Sequence, residues 1–193
     1  MIRKITHFSK KELRLLFLAC VFPIHLWAII IIFRDLEYII FKRDLWYAVG
    51  YSGYILAFAL VESCLFFIFL FLLGYLYPKK FKRNGKAFTI TCALGLIFSF
   101  WAMGNQVFYM LVASPPAFFS WIMLRIPYHQ TLAFSFLILM IIVSFIVPIW
   151  VIIKSSKGQN TANLLIERIS LLSIFYLMID LLAIMAAVIR YIG

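Results

Sequence analysis

Five stretches of this 193-residue sequence, near 13–33, 52–76, 88–112, 130–153 and 169–189, are each apolar over the thickness of a bilayer. A helix rises about 1.5 Å per residue, so about 20 apolar residues cover a hydrocarbon core of about 30 Å. Backbone amides in hydrocarbon must be satisfied within their own segment, which makes each stretch a helix rather than an open strand. The sequence therefore predicts an all-α integral membrane protein with five transmembrane helices. Composition agrees, with 66% hydrophobic and 13% charged residues, against roughly half and a quarter in soluble domains. The connections are too short to fold alone, and no repeat or low-complexity linker divides the chain, so residues 1–193 read as one polytopic domain.

The net charge of +11 would suggest nucleic acid in a soluble protein, but its distribution points to topology instead. Arg3, Lys4, Lys10, Lys11 and Arg14 lie in the N-terminal tail and at the inner edge of the first stretch. Lys79, Lys80, Lys82, Arg83 and Lys86 lie between the second and third, and Lys154, Lys157 and Arg168 between the fourth and fifth. In a five-crossing chain these groups share one side, and the positive-inside rule makes that side cytoplasmic. The N-terminus is then inside and the C-terminus outside. The expected partner is the lipid bilayer, with no nucleic acid, and the expected setting is a plasma membrane, by default the cytoplasmic membrane of a bacterium or archaeon. The first apolar run continues to Phe33 without a small-residue cleavage pattern, so it reads as a retained span and not as a signal peptide.

Cys20, Cys64 and Cys92 fall inside predicted spans, without CxxC spacing, and read as apolar packing groups. No metal site and no cofactor motif is evident. The segment "RDLEYIIFKRDLWYAVG" reads either as lying along the outer interface, with Trp46 and Tyr47 at headgroup depth, or as an ordinary solvated loop. Pro115, Pro116 and Pro127 bracket Ala117 to Ile126, about ten residues that are too few to span and read as a short outer interfacial or re-entrant helix. Trp121 and Arg125 are its interface anchors.

Ionisable groups at depth are the best candidates for function, because an acid at the bilayer centre costs about 2.5–3.5 kcal/mol on an insertion scale and has to face protein or water. Glu62 interrupts "YILAFALVESCLFFIFLFLLG" about 15 Å deep by helical rise. His25 and Asp180 fall at comparable depth in the first and fifth spans, so the three can meet if spans one, two and five are neighbours. Either carboxyl is then protonated, or one is ionised against the imidazolium of His25. Ser173, Tyr176, Asp180, Ala183 and Ala187 recur every three or four residues, a narrow polar and small-residue face that suits an inward position. Pro23 removes a backbone donor close to His25 and is expected to kink the first span and expose a carbonyl there. Thr91, Gly95 and Ser99 form a small-residue face on the third span, while Asn105 and Gln106 near its outer end read as helix-contact groups.

Three function classes follow. An accessory, scaffold or assembly component of a membrane complex uses these polar groups as interhelical contacts, to itself as a homo-oligomer or to a larger partner. The alternative is a proton- or cation-coupled transport or channel subunit, with the Glu/Asp/His cluster on its path, although an inverted repeat is not detectable. A lipid-modifying intramembrane enzyme using Glu62 and His25 is the third, but no nucleophile elbow, HExxH or phosphate-cradling glycine pattern accompanies them, so catalysis is not the expected class. In span count and orientation the layout resembles the membrane module preceding the extracellular catalytic domain of lipoteichoic-acid-synthase-like proteins. That resemblance carries no residue motif, and with the sequence ending at "VIRYIG" it implies no activity and no site residue here.

Overall fold

The computed structural model describes residues 8–77, 85–113 and 129–192. The regular structure of those residues is helical throughout: α1 Lys10–Lys42, α2 Leu45–Tyr75, α3 Lys86–Ala113, α4 His129–Lys154 and α5 Ser156–Ile192. All five helices are long and apolar enough to cross a membrane. The expected short helix at 117–126, with Trp121 and Arg125, lies outside the described residues.

Local chemistry sets the helix starts. Ser9 and Glu12 form a capping box on α1, each satisfying an amide that the first turn leaves without an intrahelical partner. Asp44 caps α2 by accepting from the Tyr47 amide. The segment 34–50, read either as lying along the interface or as a solvated loop, is helical on both sides of a turn at Arg43 and Asp44: it forms the last turns of α1 and the first turns of α2. No glycine or proline stands between Arg34 and Lys42, and extending an established helix costs far less than starting another, so α1 propagates until Asp44 opens α2. Ile39 and Ala48 are buried against this turn. α5 likewise begins well before the expected span, because Ser155 starts a new helix, its hydroxyl accepting from the Gly158 amide. Ile166, in this added part, belongs to the main core.

Contacts fix the relative helix directions. Lys11 pairs with Glu167, Ser173 bonds the carbonyl of Leu18, and Asp180 bonds His25, so α1 and α5 run in the same direction. Arg190 bonds the carbonyl of Tyr47, while the α carbon of Gly53 faces Ala183 and Ala187, so α2 runs opposite to α5. The amine of Lys86 donates to the carbonyl of Ile153 at 2.6 Å, and the indole of Trp101 to Ser144 at 2.7 Å, joining α3 to an oppositely directed α4. α1, α2 and α5 pack mutually, α3 covers α1, and α4 lies against α3 and α5.

Two apolar layers result. One gathers Phe8, Leu16, Cys20, Leu70, Phe88 and Ile166, among others. The second is built on Ala28, Leu56 and Ala59, with Ala183 of α5 against it. Gly95 of α3 lets the Leu70 side chain approach the helix backbone, and Thr91 and Ser99 on the same face are buried. Cys20 and Cys92 are buried, whereas Cys64 is exposed, contrary to the packing role expected for it. α2 buries its small-residue face, and Cys64 is not on it.

Candidate functional site

Between the two apolar layers lies a polar one. His25 of α1 has no exposed surface and Asp180 of α5 retains 2%. Their side chains meet at 2.7 Å, Nε2 to Oδ2. On its other side His25 Nδ1 lies 2.9 Å from the carbonyl of Val21. A carbonyl only accepts, so Nδ1 carries a hydrogen and donates it. Nε2 and Oδ2 then share one further proton. Whether this is written as imidazolium with carboxylate or as imidazole with carboxylic acid, the pair holds the same two protons and no net charge. That resolves the cost of burying two ionisable groups, which is severe for an isolated charge and relieved by pairing and hydrogen bonding.

α1, α2 and α5 together complete the surroundings. Ser63 places its hydroxyl 3.5 Å from His25 Nδ1 while donating to the carbonyl of Ala59 at 2.8 Å. The Tyr176 ring stacks on the imidazole at 6.2 Å between centroids, and Phe22 stacks on Tyr176 at 6.1 Å, both within the usual offset range for rings. One helical turn away, Ser173 donates to the carbonyl of Leu18 at 2.6 Å and lies 3.0 Å from that of Ile169. Ser173, Tyr176 and Asp180 thus meet α1 at successive turns, as their spacing requires of residues on one helical face. Ser173→Ala is expected to lower the unfolding free energy by about 0.6 kcal/mol, the average for interhelical polar contacts in membranes. Denaturation in mixed micelles measures it, and a change above about 2 kcal/mol would mean that Ser173 does more than join α5 to Leu18.

One oxygen of the pair, Asp180 Oδ1, is buried without a hydrogen-bond partner among the described residues. Among those residues no three His, Cys, Asp or Glu side chains gather as a metal site.

Glu62 is not in this layer. It is exposed, and lines two cavities of about 240 and 360 Å³ on the surface formed by α1, α2 and α3. Gln106 and Trp27 line both cavities with it, and Phe66 and Phe98 wall one of them. Spans one, two and five are neighbours, yet the acid and the His25–Asp180 pair occupy different faces. At 3.6 residues per turn, adjacent positions point about 100° apart, and the position turned inward is Ser63. Asn105 is exposed on α3.

Ser63 is the contact that the span pattern did not reveal. Its signal was the row Ala48, Gly53, Ala59, Ser63 and Gly74, all small and all buried on α2. That row marks where another helix approaches closely. Pro23 frees the carbonyl of Ala19, four residues before it, and the carbonyl that His25 Nδ1 engages is that of Val21. α1 passes Pro23 without interruption. Comparison of the chain with protein-family models, curated proteins and solved structures returned no match.

Proposed function

We propose that the protein is a multi-pass accessory or assembly component of a plasma-membrane complex, its N-terminus cytoplasmic, and that the Glu62 face of α1, α2 and α3 receives a transmembrane helix of the partner. The single observation carrying this reading is an exposed acid near the middle of α2. In a bilayer such a group meets lipid unless protein covers it, and the cost of leaving it there supports an occupant. The groove has apolar walls at Trp27, Phe66 and Phe98 and an amide at Gln106. Its complement is a helix with an apolar face and one cationic or amide side chain at matching depth, whether from another protein or from a second copy of this chain.

The test is recovery of the complex from native membranes under mild detergent, with mass determined after cross-linking. Glu62→Lys is expected to reduce partner recovery at least tenfold, whereas Leu139→Gln on the exposed face of α4 leaves it unchanged. Equal recovery with both variants would sink this reading. A cross-linked mass at a multiple of the chain would identify the occupant as a second copy.

Proton- or cation-coupled transport is the second reading, and the observation in its favour is Asp180 Oδ1, buried without a hydrogen-bond partner among the described residues. It predicts pH-dependent flux in proteoliposomes that Asp180→Asn abolishes in a normally assembled protein. Absence of flux in the wild-type complex, partner included, removes it.

A further inference from the structure

We propose that the cavity between the end of α1 and the start of α2 binds the phosphate group of an anionic ligand, with a lipid headgroup as its source. The cavity encloses about 680 Å³ and is lined by Arg34, Asp35, Lys42 and Arg43 together with Tyr38, Tyr47 and Tyr51. Three basic side chains therefore face one carboxylate. That carboxylate is already satisfied: Arg34 holds both oxygens of Asp35, at 2.7 and 3.2 Å, and the Tyr51 hydroxyl donates to it at 2.9 Å.

Lys42 and Arg43 are differently placed. The Lys42 amine lies 4.7 Å from the Tyr38 ring centroid and the Arg43 guanidinium 5.5 Å from that of Tyr47, cation–π contacts that position both groups without neutralising them. Neither makes an ion pair among the described residues. Arg190, arriving from α5, adds a third such cation beside Tyr47 at 4.9 Å and anchors to the Tyr47 carbonyl at 3.2 Å. Consecutive cations held at a cavity whose one acid is internally paired present a net positive site to solvent. An ammonium and a guanidinium are the usual donors to phosphate oxygens, the guanidinium through two parallel bonds.

Position favours lipid over a soluble phosphate. The site follows directly on the apolar run ending at Phe33; exposed Tyr38 and Tyr47 line it, and exposed Phe41 and Trp46 lie on the same two helix ends. Aromatic rings of this kind collect where hydrocarbon gives way to headgroups. This inference shares the membrane setting of the proposed function but uses neither Glu62 nor a partner protein.

The experiment is native mass spectrometry of the full-length protein in neutral detergent, titrated with phosphatidylglycerol, phosphatidylcholine or glycerol phosphate. Phosphatidylglycerol is expected to bind at least fivefold more tightly than phosphatidylcholine. The double variant Lys42→Gln/Arg43→Gln should weaken phosphatidylglycerol binding about tenfold or more, while Lys154→Gln/Lys157→Gln, which removes the same charge at the other end of the bundle, should not. Glycerol phosphate binding as tightly as the lipid, with the same dependence on Lys42 and Arg43, keeps the phosphate site and assigns it to a soluble ligand. No preference in the wild-type protein, or equal losses in the two double variants, overturns the proposal.

Discussion

Asp180→Ala is expected to destabilise the protein by about 3–5 kcal/mol, the cost of removing one member of a buried charge-capable pair and leaving the other unmatched. The stranded group would be His25 Nε2, on a side chain without exposed surface. Water cannot replace the lost partner there unless the layer between the two apolar clusters opens. Two companion variants separate the cause from mere loss of volume. Asp180→Asn keeps a donor facing Nε2 while Nδ1 still donates to the Val21 carbonyl, so it should retain most of the stability. The double variant His25→Leu/Asp180→Leu removes both polar groups and should be less damaging than Asp180→Ala, because an apolar pair of comparable volume needs no proton between its members. Unfolding followed by loss of helical signal in mixed micelles measures all three. If Asp180→Ala costs under about 1 kcal/mol, or the double variant costs more than the single one, the pair is not the interhelical lock that its geometry describes.

This pair was partly legible in the sequence, and the reason is geometric. Residues every three or four positions along α5 must share a face, so Ser173, Tyr176 and Asp180 could be placed together before any partner was known. Depth along two apolar stretches brought His25 to the same level. Depth, however, fixes only one coordinate. Glu62 sits at a suitable level too, but rotation about α2 turns Ser63 inward and leaves the acid on the α1–α2–α3 surface. The missing coordinate was carried by the small residues of α2, because the helix packs through the face on which Gly53, Ala59, Ser63 and Gly74 let its neighbours approach, with Leu56 and Leu70 filling the layers beside them, and not through the one bearing the charge. Helix ends were obscured for another reason. Apolarity reports where hydrocarbon lies, whereas Ser9, Asp44 and Ser155 determine where helices begin, and α1 and α5 accordingly run past the apolar stretches they contain.

Gly53→Ala is the second large effect, expected to cost about 1–3 kcal/mol by overpacking. A β carbon at this position would stand 2.7 Å from the carbonyl oxygen of Ala183 and 3.2 Å from the β carbon of Ala187. The first of these is a backbone atom, which cannot rotate aside as a side chain would. Relief requires α2 and α5 to separate, and the same movement would pull Arg190 from the Tyr47 carbonyl that it now bonds at 3.2 Å. Gly104 of α3 supplies the control, since a β carbon there meets nothing within 4 Å. Alanine favours a helix over glycine by roughly 0.8–1 kcal/mol wherever it is tolerated, so Gly104→Ala should be neutral or stabilising. Both substitutions add one methyl group and the same helical preference, and their difference isolates the close approach of α2 to α5. Denaturation of the two variants side by side should show Gly53→Ala destabilised and Gly104→Ala not. Equal effects would mean that the helices pass farther apart than the Gly53–Ala183 contact requires, and the parallel alignment of Asp180 with His25 would then need support from α1 alone.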